Sequence, residues 1–230
     1  MPQSQQHLDF PTFFSMLNQP VKQALLNAGA LVQYEDKQLI HQRGSNKAGL
    51  SVVIEGAVFA GITDAQGKQL IVAMLGKGHC FGEFSLFSEL NRTHDISSIG
   101  KTTLCQIAKP VFFRLFQQYP ELAEALLKTS LARLHIVLES MDALRRLPLL
   151  EKTIKMILIM SYTSGFKDVI PCRQEELANT IGVSRVALGK ALKHLEQEGL
   201  LELAYGKLII QGRDKLEAWL VARDRGTIMS

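Results

Sequence analysis

The chain has 230 residues, 47% hydrophobic and 21% charged, enough for one large domain or two modest ones with a buried core. Its 26 Lys+Arg against 22 Asp+Glu give a net charge of +4, which permits a nucleic-acid partner without demanding one. The longest apolar run, around Met156–Met160, falls far short of the ~20 residues of a membrane span. Met1-Pro2-Gln3-Ser4-Gln5 lacks the basic-then-apolar order of a signal peptide. Three widely spaced cysteines (Cys80, Cys105, Cys172) without a CxxC write neither a disulfide framework nor a cysteine metal site. A reducing, cytoplasmic setting is the expectation.

From about Leu31 to Ile107 apolar residues come in short runs punctuated by glycine. Leu50–Glu55 reads as one strand and, after Gly56, Ala57–Ile62 as a second. Asp64-Ala65-Gln66-Gly67 reads as a hairpin turn into Gln69–Leu75. Gly76-Lys77-Gly78 is the next break, and Thr103–Ile107 is another short strand. Many short strands with glycine turns predict an antiparallel barrel or roll.

The period then changes. Pro110 and Pro120 each fit the first turn of a helix, and no Gly or Pro follows until Pro148. Leu127, Leu131, Leu134, Leu138 and Met141 repeat at spacings of 4, 3, 4 and 3, a heptad seam that needs a partner helix. A helix this long outruns a small roll, so the seam predicts a homodimer. Pro148 ends the helix, Leu149–Ser161 resumes helical periodicity, and Gly165 to Pro171 reads as a loop.

Gln174 to Leu192 has helix-turn-helix spacing. Ala178 is small where two helices cross, and Gly182 sits where the turn requires a positive φ. Leu177, Ile181, Val183, Leu188 and Leu192 occupy the packing positions. Ser184 is a natural N-cap for a second helix carrying Arg185, Lys190, Lys193 and His194. Such a helix can enter a major groove with its N-terminal residues at base edges. The candidate DNA contacts are Arg173, Ser184, Arg185, Val186, Ala187, Lys190 and Lys193. Leu200–Ala204 and Lys207–Ile210, around Tyr205-Gly206, read as a wing.

This order of roll, long helix, helix-turn-helix and wing resembles the catabolite activator/FNR (CRP/FNR) family of bacterial transcription regulators over roughly residues 30–212. The segment Phe81-Gly82-Glu83-Phe84-Ser85-Leu86-Phe87-Ser88-Glu89-Leu90-Asn91-Arg92-Thr93 is similar to that family's phosphate-binding cassette. Its chemistry suits a small anionic effector, a cyclic nucleotide among them. Gly82 lets backbone approach a ligand closely. The N–H groups of Phe84 and Ser85 at a helix start can receive a phosphate. Arg92 supplies a cationic fork, Thr93 a hydroxyl, and Glu83 an acceptor for a ribose hydroxyl.

The resemblance implies an α+β chain in three units: an effector-sensing roll at 1–119, a dimerisation helix at 120–147 and a winged helix-turn-helix at 148–230. It implies a regulator with no catalytic residue or metal site. Its partners would be palindromic double-stranded DNA, a second copy of the chain and RNA polymerase, with no membrane involved. The effector would shift the DNA-binding units about a hinge near Pro148.

Three positions depart from the family pattern. Val137-Leu138 stand where cyclic-AMP-responsive members have a polar pair for adenine. His94-Asp95 follow the cassette in place of a small residue, and Val186 stands where many members carry Glu. No cysteine precedes Cys80, so the resemblance does not extend to the iron–sulfur members. The alternatives are a cyclic-nucleotide-binding interaction module without DNA activity, and a regulator of redox or gas signals. The second would work through Cys80 or Cys105, or through haem near His79-Cys80. An enzyme would need His79, Glu83, His94 and Asp95 to meet in one cleft.

Overall fold

Asn18 accepts a hydrogen bond from the Val21 N–H at 3.0 Å, and with Pro20 behind it this opens the first helix, α1 (Gln19–Ala28). In the computed structural model, which describes residues 11–63, 69–88, 90–166 and 168–224, α1 precedes an antiparallel sheet. The strands are β1 (Ala30–Tyr34), β2 (Leu39–His41), β3 (Gly49–Thr63), β4 (Gln69–Gly76), β5 (Cys80–Phe81) and β6 (Asp95–Ala108). They run in the order β1-β6-β3-β4, with β2 on β6 and β5 on β3.

Two expected strands are one. Leu50–Glu55 and Ala57–Ile62 both belong to β3, whose register with β6 shifts on either side of Gly56. The glycine bends a long strand through a bulge instead of ending it. Thr103–Ile107 is likewise only the end of the fourteen-residue β6. The expected turn at Asp64–Gly67 and the terminus Met1–Gln5 lie outside the described residues.

The sheet buries both faces. Val53, Val58, Leu75, Phe81 and Leu104 fill one side. Leu50, Val52, Cys105 and Ile107 pack on the other against α1, α3 (Lys109–Gln118) and α4 (Glu121–Arg146). Between β5 and β6 lies α2 (Glu83–Phe87). Its Phe87 is held edge-on by Phe112 and Phe113 of α3, at ring separations of 6.1 and 5.5 Å.

Helix α4 has 26 residues, about 39 Å at the usual rise. Glu121 and Glu124 in its first turn and Arg145 and Arg146 in its last suit the helix dipole. Leu122, Ala125, Leu126 and Thr129 are buried against the sheet domain. The heptad residues face elsewhere: Leu127, Leu131, Leu134, Leu138 and Met141 all stay about half exposed, from 48% for Met141 to 61% for Leu127. Within one chain the seam covers nothing.

After Pro148, α5 (Leu149–Ser164) runs one turn beyond its expected end. The expected loop before Pro171 contains a short strand, β7 (Val169–Ile170). Two residues are too few to show periodicity. They pair with β9 (Lys207–Ile210), which also pairs with β8 (Leu201–Ala204). Between β7 and β8 lie α6 (Gln174–Ile181) and α7 (Arg185–Gln197), and α8 (Arg213–Asp224) closes the described chain. The core of this half continues into the sheet domain: Phe59, Ile71 and Met74 lie in the same apolar cluster as Ile157, Leu177, Ile181 and Leu192.

Candidate effector site and DNA-reading helix

Gly82 caps α2 with a φ of 103°, a backbone region that L side chains rarely adopt. A Cβ there would also collide with the Gly49 carbonyl. The glycine is required, but the group that approaches it so closely is the chain's own backbone. The first intrahelical bond runs from the Leu86 N–H to the Gly82 carbonyl at 3.2 Å. The N–H groups of Phe84 and Ser85 therefore precede the helical ladder, as an anion site requires.

Ser85 and Arg92 are buried and Glu83 half-buried, with the Glu83 charge acting on Arg92, while Phe84 and Thr93 stay at the surface. The Ser85 hydroxyl donates to the Gly82 carbonyl at 2.8 Å, and Thr93 Oγ1 lies 2.8 Å from His94 Nδ1. Arg92 Nη2 donates to the Lys47 carbonyl at 3.0 Å. Glu83 Oε1 receives Arg133 Nη1 of α4 at 2.6 Å, and Arg133 also donates to the Cys80 carbonyl. Among the described residues, two buried polar atoms at this site have no partner, Glu83 Oε2 and Arg92 Nε. Val137 and Leu138 lie exposed on the seam side of α4.

Sequence reasoning missed Arg133, although its signal is present. Arg133 falls four residues after the buried Thr129, a lone cation on the stripe of α4 that faces the sheet.

Burial pushes the Cys80 thiol up to about 12 and the Cys105 thiol to about 11. A raised pKa keeps both groups in the thiol form at neutral pH. Among the described residues no three His, Cys, Asp or Glu side chains gather as a metal site would need.

In the C-terminal half, Gly182 ends α6 in the left-handed region at φ 76°. The Arg173 N–H donates to the Glu176 carboxylate at 2.7 Å, so Arg173 opens α6 while its side chain stays exposed. Ser184 caps α7, its hydroxyl accepting from the Ala187 N–H at 3.2 Å. Arg185, Val186, Lys190 and Lys193 are all exposed, Val186 at 70%. Leu188, Ala191, Leu192 and Leu195 anchor the opposite side of α7. The wing tip, Tyr205, is fully exposed at 100%. Behind α7, Trp219 of α8 donates to the Glu198 carboxylate, and Arg223 sits 3.6 Å over the Trp219 ring. The arrangement presents an exposed cationic edge with two apolar residues, Val186 and Ala187, near its start.

His79 lines a narrow cleft with Leu75, Thr129, Arg133, Ile136 and Thr163. Burial, and then the Arg133 charge, lower its pKa from 6.5 to about 4. His41 is lowered to about 4 by burial, Arg92 and Lys47. Between those values the unfolded chain binds more protons than the folded one, so the stability these residues contribute is complete above pH 6.5 and lost as pH falls towards 4. Urea unfolding is expected to show a lower midpoint at pH 5 than at pH 7, with a smaller difference in His79→Gln.

Residues 31–119 match the model of the cyclic nucleotide-binding domain, and residues 151–219 that of the Crp-like helix-turn-helix domain. The cAMP-activated global transcriptional regulator CRP of Salmonella typhimurium is 26% identical over 188 residues, 77% of this chain and 87% of that protein. FixK2 of Bradyrhizobium japonicum shares the fold at a TM-score of 0.68 and 16% identity, over 83% of this chain and 96% of its own. The regulator CLP of Xanthomonas campestris does so at 0.67 and 20%, over 85% and 100%. A cyclic-nucleotide-binding-type sheet domain on a long helix, followed by a Crp-like helix-turn-helix, places the chain in the CRP/FNR family of transcription regulators.

Proposed function

We propose that the chain works in the cytoplasm as a homodimer that reads a palindromic operator and meets RNA polymerase there. In this reading residues 1–119 sense the effector, 120–147 form the dimer helix, and 148–230 bind DNA. The observation that carries the reading is the free edge of α7, where Arg185, Lys190 and Lys193 stand exposed on a helix whose other side is fixed. Arg185 would take a guanine through O6 and N7, Lys190 a base edge or phosphate, and Lys193 a phosphate, with Arg173 and Ser184 beside the backbone. Val186 and Ala187 can meet thymine methyls but cannot accept from a cytosine amino group. No catalytic role is assigned to any residue.

For the effector we propose a small anionic molecule of nucleotide type, held between Gly82 and Thr93. The unpartnered Glu83 Oε2 would accept from a hydroxyl, and the unpartnered Arg92 Nε would donate to an anion. Since Arg133 already joins Glu83 to α4, an effector on Glu83 would act directly on the dimer helix. Val137 and Leu138 offer adenine neither donor nor acceptor. Calorimetric titration is therefore expected to find cyclic AMP weak, and Arg92→Ala to abolish binding of whatever nucleotide does bind; tight cyclic AMP binding that strengthens DNA binding would contradict the assignment.

The exposed heptad residues give the dimer test. Leu134→Glu is expected to turn a dimer into a monomer by light scattering at micromolar concentration. A monomeric parent protein would remove the dimer reading.

Selection from random duplex DNA tests the operator. The parent protein is expected to select two inverted half-sites about one helical turn apart. Arg185→Ala should weaken binding by about 1–3 kcal/mol and relax one guanine. Val186→Glu should move one base pair from A·T towards G·C. Recovery of no sequence at all would favour the interaction module without DNA activity.

A further inference from the structure

Among the described residues strand β4 is the outer edge of its sheet, with no strand partner on one side of its backbone. Helix α6 of the helix-turn-helix covers that edge. Thr180 Oγ1 accepts from the Ile71 N–H at 3.3 Å, while its own hydrogen is directed to the Glu176 carbonyl of α6 at 2.9 Å, with the Ile71 carbonyl 3.3 Å away. At the end of the same strand Gly76 meets the end of α5. A Cβ at Gly76 would collide with the Ser164 carbonyl and stand 2.9 Å from the Gly165 nitrogen. Phe59, Ile71 and Met74 fill the space behind these contacts with apolar packing shared by both halves. Through all of this the cationic edge of α7 stays uncovered.

We infer that Thr180 and Gly76 are positioning residues for operator binding, through which β4 holds each helix-turn-helix in a fixed direction before DNA arrives. The inference rests on the proposed dimer and its two half-sites. Each α7 must arrive at the spacing and tilt its half-site sets, one helical turn from its twin. A domain free to turn about Leu147-Pro148 would lose that orientation and have to recover it on binding. The loss falls on the second contact of a dimer, whose strength depends on how well the first contact presents it. A single half-site does not feel it.

The test uses two probes: the duplex that the parent protein selects from a random library, and a duplex carrying one of its half-sites. Thr180→Val keeps the shape and removes the hydroxyl, Gly76→Ala wedges β4 from α5, and Thr180→Ser keeps the hydroxyl. Thr180→Val and Gly76→Ala are expected to bind the full duplex about tenfold more weakly and the half-site duplex unchanged, with Thr180→Ser like the parent. Should Gly76→Ala fail to fold, Thr180→Val decides alone. Unchanged full-duplex binding in a folded Thr180→Val overturns the inference. So does an equal loss on both duplexes, which locates the damage within the helix-turn-helix, and so does tighter binding, which makes β4 a restraint against DNA. If the parent selects no paired half-sites, the dimer reading fails first and takes this inference with it.

Discussion

A partly buried guanidinium needs acceptors already in place, and Arg133 finds two on the sheet domain. It leaves the long helix and ends on the Glu83 carboxylate and the Cys80 carbonyl of the sheet domain. Removing either member of this partly buried ion pair leaves the other charge without its counter-charge. The pair therefore fixes α4 against α2 more stringently than the surrounding leucines do, because apolar contacts survive small slides and a forked hydrogen bond does not. The position of α2 then depends on that pair on one side and on the Phe87 aromatic contacts on the other.

The proposed effector site is only partly satisfied by the chain's own groups. Arg133 and the Lys47 carbonyl satisfy one edge of Glu83 and one edge of Arg92. They leave one atom of each unmatched in the interior. Two unmatched buried polar atoms are a modest strain for a domain of this size, which the proposed effector, offering a hydroxyl and an anion together, would relieve.

What the sequence made legible followed from local chemistry. Ser184 as N-cap and Gly182 at a positive φ are dictated by a few neighbouring residues, so the helix-turn-helix was readable within narrow bounds. The period of the leucines on α4 needs only one helix to be seen. By contrast, the length of β3 was hidden because a glycine in a strand looks the same whether it bends or breaks it. β7 was hidden because it exists only through its pairing with β9, almost forty residues away. Arg133, the Lys47 carbonyl and the contact of Thr180 with Ile71 are likewise products of tertiary placement. No short window holds both partners.

The apolar cluster that runs from Phe59, Ile71 and Met74 into the helix-turn-helix bears on how such a chain can be recombined. A sensor grafted from a relative would bring its own edge strand, and the helix bundle would meet a surface it was not shaped for. Either half produced alone would present that apolar patch to water and to other copies of itself. The two halves are thus shaped to each other. Exchange of parts between relatives has to carry β4 along with the DNA-binding half, or accept a joint that no longer fits.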